Sequence, residues 1–268
     1  MVVMCVYTDE QVREICLDGT LLTGMPRGSV LVVHTTGSPH TVEAIAARVE
    51  FLGIDVLDAA VCGGPHDIAD GRLTLFVGGA DDAVARVSPV LRSYGDPVLH
   101  VGPVGAGQRV KLVNNALFAA QIGLLAEAAD LGRQLGINEA TLLKALPYGS
   151  AACHVMGNIA ARGSVSAFTS AVSHFLDKDV AVVRSTVADV GGDLGVLQVV
   201  IDAQQTADSS RVLCLVNPAS NCVSEFCYCN SSITSIWLHS SLVTGLRMRS
   251  VTRPRAAQSF SAFASTCQ

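Results

Sequence analysis

Charged and aromatic side chains are scarce in this sequence. Asp, Glu, Lys and Arg together make up 15% of its 268 residues and Phe, Trp and Tyr 5%, against 50% hydrophobic residues. That balance excludes global disorder and leaves ample material for a core. The net charge is −5, so the basic excess of a general nucleic-acid binder is missing. The opening "MVVMCVY" is apolar, but no basic residue precedes it and it runs straight into "TDEQ". It does not read as a signal peptide. The apolar run "LFAAQIGLLAEAA" is broken by Gln121 and Glu127, the pattern of a buried helix rather than a membrane span. The expectation is a soluble cytoplasmic protein whose partners include neither nucleic acid nor membrane.

Metal-ligand spacing is also lacking. Cys5, Cys16, Cys62 and Cys153 are scattered, and Cys214, Cys222, Cys227, Cys229 and Cys267 crowd the end. "CYC" has no CxxC or HxxxH beside it, so no metal site is expected and the cysteines read as small apolar residues. A complete dinucleotide fingerprint is absent as well. In "GAGQRVKLVNN", Gly105 and Gly107 fit the glycine positions but Val110 holds the last one. The acidic residues further on, Glu127 and Asp130, fall inside a helical pattern and cannot serve a ribose.

What is present first is an alternation. Strand-length apolar runs, "VVMCVY", "SVLVVHTT", "IDVLDAAV", "LTLFVGG" and "PVLHVG", are separated by helical patterns. Thr8 with Gln11 forms a capping box, Ser38 with Pro39 opens "HTVEAIAARVEFL", Gly53 stops it, and Asp81 opens a helix that Pro89 should kink or shorten. This is a largely parallel α/β sheet. After Val104 only helical periods remain: "VKLVNNALFAAQIGLLAEAADLGRQLG", "NEATLLKAL" and "LDKDVAVVRSTVADVG". The expected organisation is an α/β domain over 1–104, an all-α domain over 105–203 and an atypical tail over 204–268, rich in Ser, Thr, Cys and Arg.

Three stretches could carry chemistry. Lys111, Asn114 and Asn115 stand at i, i+3 and i+4 and share a helical face. They read either as a solvated polar face or as a general acid/base with two orienting amides. Gly63 and Gly64, at the end of "LDAAVCGG", are either an ordinary turn or a pair of backbone N–H groups offered to an anion. Thr35 and Thr36, in "HTTGSP", lie at a strand end, where ligands of open α/β sheets bind.

In order, "HTTGSP", "LDAAVCGG…ADGRLTLFVGG", "GAGQRVKLVNN" and "FLDKD" resemble the β-hydroxyacid dehydrogenase family, which includes 3-hydroxyisobutyrate dehydrogenase and, more distantly, 6-phosphogluconate dehydrogenase. The resemblance covers the first 200 residues or so. It implies an incomplete Rossmann-type parallel sheet followed by an all-α substrate and dimerisation domain. It implies hydride transfer between NAD or NADP and a small 3-hydroxy acid or its semialdehyde, in a homo-dimer or tetramer. By the same resemblance Lys111 is the catalytic lysine, and Asn114 and Asn115 orient the substrate. Cys62, Gly63 and Gly64 receive its carboxylate, Thr36 contacts the cofactor, and Phe175 and Lys178 close over it.

The sequence departs from the family in three ways. Cys62 stands where the family has serine, and thiol is a weaker donor. The family's opening strand, glycine loop and second strand have no counterpart, about two βα units of ~30 residues each. A sheet lacking them should expose apolar edges. The tail resembles none of the family's last helices. The alternative reading is a catalytically inactive truncated homologue serving as a helical oligomerisation module. An imine reductase of the same superfamily fits less well, since those relatives generally lack the lysine that Lys111 supplies.

Overall fold

The computed structural model describes residues 1–203; the atypical tail, 204–268, lies outside the described residues. Five strands make one sheet in sequence order: β1 (Val2–Met4), β2 (Val30–Val33), β3 (Asp55–Cys62), β4 (Leu73–Gly78) and β5 (Gly95–Gly102). β1, β2 and β3 run parallel, and Leu31 pairs with Val2 on one side and Val56 on the other. β4 is antiparallel to β3, and β5 is parallel to β4. The sheet is thus largely parallel, as expected, with β3–β4 as its antiparallel pair, so that β4 and β5 both run against β1–β3. Ten residues separate Cys62 from Leu73, fewer than the dozen or so that a parallel crossover needs, so β4 doubles back.

Side chains alternate across the sheet as the strand period demands. Leu31 and Val33 of β2 pack on one face with Val12, Ile45 and Val49, while Val30 and Val32 pack on the other with Leu57, Leu75, Val87 and Leu91. Both faces are covered, which is why β2 is a continuous apolar run. Val3 of the edge strand β1 is exposed, as an apolar edge would be.

The helices flanking the sheet begin where their caps predict. Thr8 and Gln11 form the capping box of α1 (Asp9–Arg13), which continues into a π-helical turn over Glu14–Asp18 and a short α2 (Leu21–Gly24). Ser38 caps α3 (Pro39–Val49), and a 3-10 turn beyond it ends at Gly53 with φ 63°. A five-residue α4 (Pro65–Ala69) was not expected. In α5 (Asp81–Leu91), Pro89 has no N–H to give Ala85, and the helix stops two residues later.

All described structure beyond Gly102 is helical: α6 (Ala106–Gln134), α7 (Glu139–Ala145), α8 (His154–Arg162), α9 (Val165–Asp189) and a last helical stretch over 196–203. α8 was not anticipated. α9 starts at Val165, earlier than the pattern from Leu176 suggested, because Ser164 caps it by accepting from the Ala167 N–H at 3.1 Å. Ile122 and Leu125 of α6, Ile159, Phe168, Leu176 and Ile201 share one core. Gly123 admits the last stretch, since a Cβ there would lie 2.4 Å from the Val200 carbonyl oxygen. Among the described helices α6 is long and apolar enough to cross a membrane, but Leu112, Ala119, Ile122 and Leu125 are spent on the core. Its first turns rest on β3 and β4 and its later turns on α9, which brings the carboxyl ends of the strands within reach of α9.

Candidate active site

The stretch Gly105–Asn115 divides into two parts with different work. Gly105 has φ 89°, a left-handed conformation that suits glycine. Its N–H donates to Asp58 Oδ1 and the N–H of Gln108 to Asp58 Oδ2, both at 2.7 Å. Asp58 is wholly buried at the centre of β3. Burial pushes its carboxyl up, and the N–H groups of Gly105, Gln108 and Gly107 pull it partly back. The cradle at the head of α6 is thus already filled by a carboxyl group that the chain itself supplies. A Cβ on Gly107 would lie 2.3 Å from the Phe76 carbonyl oxygen and 2.8 Å from Asp58 Oδ2, so this glycine serves close packing. Gln108, 1% exposed, completes the joint: its Nε2 donates to the Thr35 carbonyl at 2.7 Å and its Oε1 accepts from the Gly37 N–H at 3.1 Å. The glycine loop is structural.

The lysine and the two asparagines are placed differently. One turn further along α6, Lys111 and Asn115 are buried and Asn114 is half-buried, so the solvated-face reading fails. Asn115 Nδ2 donates to Asp179 Oδ2 at 2.8 Å, and Asn114 Nδ2 donates to Asn115 Oδ1 at 3.2 Å and approaches Cys62 Sγ at 3.9 Å. Asp179 Oδ1 lies 2.7 Å from Lys178 Nζ, which also stands 5.2 Å from the centre of the Tyr7 ring. The Tyr7 hydroxyl is 2.5 Å from His174 Nδ1. A continuous polar chain therefore runs from the end of β3, across α6, to α9 and the loop after β1. Lys111 stands apart from it. It is 9% exposed and, among the described residues, makes no hydrogen bond and no ion pair. Its side chain is enclosed one turn from the Asn115 amide with no protein partner among the described residues, which leaves its amine available to a ligand.

The other expected residues divide. Thr35 is structural: its hydroxyl accepts from the Val6 N–H and donates to the Val6 carbonyl, both at 2.9 Å. Thr36 is half-buried, and its hydroxyl makes no hydrogen bond among the described residues. Phe175 is exposed on α9, one turn before the buried end of the polar chain. Gly63, with φ 143°, forms the turn after β3, but the Gly64 N–H already donates to Asp67 Oδ2 at 2.7 Å. Three residues in contact with the candidate site escaped the sequence reading: Asp179, Tyr7 and Asp67. Asp179 carried a signal, an acidic residue on the apolar side of a helical pattern.

Residues 1–102 match the family model described as the NAD binding domain of 6-phosphogluconate dehydrogenase, and residues 105–212 the one described as NAD-binding of NADP-dependent 3-hydroxyisobutyrate dehydrogenase. An uncharacterized oxidoreductase of Synechocystis is 32% identical over 188 residues, 69% of this chain and 64% of that protein. The mitochondrial 3-hydroxyisobutyrate dehydrogenase of Homo sapiens is 36% identical over 133 residues, 50% of this chain and 40% of that protein. The solved structure of Mycobacterium tuberculosis 3-hydroxyisobutyrate dehydrogenase with L-serine superposes with a TM-score of 0.68 at 25% identity, covering 78% of this chain and 74% of that one. The chain spans about half the length of the curated relatives it matches.

Proposed function

Because this chain belongs to the β-hydroxyacid dehydrogenase family, we propose that its site transfers a hydride between NAD or NADP and a small 3-hydroxy acid or its semialdehyde. The observation that carries this reading is Lys111: buried and, among the described residues, unpartnered, one helical turn from an asparagine whose amide is fixed. Oxidising an alcohol removes a hydride from carbon and a proton from oxygen. A nicotinamide held by Thr36, Phe175 and Lys178 would accept that hydride, or return it in the reverse direction. Lys111 Nζ, as the neutral amine, takes the hydroxyl proton as the carbonyl forms, and as the ammonium gives it back in reduction. Asn115, anchored by Asp179, and Asn114 beside Cys62 orient the substrate around that proton transfer.

The residues at the carboxyl ends of the strands fit the nicotinamide end of the cofactor. Thr36 offers a free hydroxyl beyond β2, and Phe175 and Lys178 approach from α9. The cradle of Gly105 and Gln108 does not fit the pyrophosphate, because Asp58 fills it.

A homo-dimer or tetramer belongs to the same reading. Val113, Leu117, Leu124 and Leu131 of α6 are exposed, and at ~100° per residue they fall within about 40° of arc. An apolar stripe of that length suits a second copy of the helix. It equally favours the second reading, an inactive helical oligomerisation module. Fluorescence titration of NADH and NADPH into the 268-residue chain separates the two. Micromolar binding supports the dehydrogenase, and no binding to a chain that circular dichroism shows to be folded overturns it.

A further inference from the structure

Tyr7 stands in the loop after β1, and its backbone is held from both sides. The Val6 N–H and carbonyl both bond the Thr35 hydroxyl at 2.9 Å, and the Tyr7 N–H donates to Gln11 Oε1 at 2.9 Å. The loop is therefore fixed by its own contacts with the end of β2 and with α1. From it the Tyr7 side chain reaches α9. His174 and Lys178 stand at i and i+4 on that helix, so they share a face, and the phenol touches both. Its hydroxyl lies 2.5 Å from His174 Nδ1 and 3.1 Å from the His174 carbonyl oxygen, and the two rings meet edge to face with centroids 5.4 Å apart. The Lys178 ammonium lies 5.2 Å from the centre of the Tyr7 ring, within reach of the attraction between a cation and an aromatic face. Lys178 Nζ is also 2.7 Å from Asp179 Oδ1. Tyr7 is 40% exposed, so water competes for its hydroxyl and that contact adds little to stability. What the arrangement does is fix Lys178. A lysine has a flexible four-carbon stem, and each rotamer it gives up on binding costs affinity. An ammonium already held by a carboxylate and an aromatic face has given them up in advance.

We propose that Tyr7 is a positioning residue, which holds the Lys178 ammonium ready for the cofactor. It acts through Lys178 and is not itself a catalytic residue. The proposal rests on the dehydrogenase reading, in which Lys178 approaches the nicotinamide end of the cofactor from α9, and adds the loop after β1 to it. The ring carries the effect, since it faces the cation; the hydroxyl carries only the tie to His174. Lys178 takes Asp179 Oδ1 and Asn115 takes Oδ2, so a lysine held in place also keeps that division of the carboxylate.

A double-mutant cycle isolates the point. NADPH and NADH are titrated, by fluorescence, into the full chain and into Tyr7→Leu, Tyr7→Phe, Lys178→Ala and the double variant Tyr7→Leu with Lys178→Ala, with circular dichroism on each sample. Tyr7→Leu is expected to raise Kd about 3- to 10-fold, the range of one partly exposed contact between a cation and a ring. Tyr7→Phe keeps the ring and should stay within ~2-fold of the wild-type chain. In the Lys178→Ala background Tyr7→Leu should have no further effect, because the cation it steadies is gone. A tyrosine that only supported the fold would weaken binding by the same factor in both backgrounds, and that additivity overturns the proposal; so does a Tyr7→Phe as weak as Tyr7→Leu. Tyr7→Met takes the place of Tyr7→Leu in the cycle where circular dichroism shows the latter unfolded. If the wild-type chain binds neither cofactor, the dehydrogenase reading falls and the proposal falls with it, whereas additive losses in a chain that binds overturn the proposal alone.

Discussion

Asp179 holds two site residues at once, so its removal should act on both. Its carboxylate anchors the Asn115 amide at 2.8 Å and pairs with Lys178 at 2.7 Å. Asp179→Ala is expected to lower kcat/KM by about 10- to 100-fold, the loss of one hydrogen bond to a buried charge. Asp179→Asn should recover part of kcat but leave cofactor affinity weak, because Lys178 stays unpaired; initial rates and NADPH titrations on both variants check this. His34 makes a prediction of another kind. It is 6% exposed, with Nδ1 at 2.5 Å from the Ala59 carbonyl and Nε2 at 2.8 Å from the Tyr94 hydroxyl. Burial pushes its pKa down, and burial pushes Tyr94 up to about 12, so the phenol remains a donor to a neutral ring. The unfolded chain takes up a proton near pH ~6.5 that the folded chain refuses until lower pH. This contribution to stability is therefore complete above about pH 6.5 and is lost as pH falls toward the folded pKa, by at most ~1.4 kcal/mol per pH unit. Urea midpoints at about pH 7.5 and 5.5 should fall with acidity, and His34→Gln should flatten the difference. At this scale the sequence showed Lys111 and both asparagines through helical spacing. Asp58, Asp67 and Asp179 stayed hidden, because an acidic residue announces neither its burial nor the N–H groups it will meet.

The joint between β3 and α6 is the element on which the site depends. Asp58 binds the head of α6, and Gln108 ties the same turn to the end of β2. Asp58→Ala is expected to destabilise the fold by about 2–4 kcal/mol, since several buried N–H groups lose their acceptor together. Asp58→Asn should cost less, and equilibrium urea unfolding of the two variants gives the ordering. Gly107→Ala should unfold or strongly destabilise the chain for a separate reason, the backbone oxygen of Phe76 that its Cβ would meet at 2.3 Å. Local chemistry made most elements legible. Thr8, Ser38 and Asn138 cap helices as their side chains allow, and Gly53 and Gly136 take the positive φ that follows helix ends. The direction of β4 was legible only from the length of its connection to β3. α8 was missed because its cap, Cys153, makes no side-chain hydrogen bond.

At the scale of the molecule, a sheet whose carboxyl ends carry the candidate site meets a helical part that shares a long apolar helix with it. The periodicity of "LFAAQIGLLAEAA" marked that helix but not the division of its surface. Leu112, Ala119 and Ile122 face inward, while Val113, Leu117, Leu124 and Leu131 face out. If the outward stripe pairs with a second copy, Leu124→Glu should shift the chain to monomer and leave its circular dichroism unchanged; light scattering after size exclusion reads the difference. The central claim, that buried Lys111 moves the proton of the reacting hydroxyl, is tested most directly by one comparison: turnover and NADPH binding of the wild-type chain and of Lys111→Ala, side by side. The account predicts a rate loss of at least ~100-fold, the typical worth of a general acid/base, with NADPH affinity retained. Turnover by Lys111→Ala at the wild-type rate would contradict it.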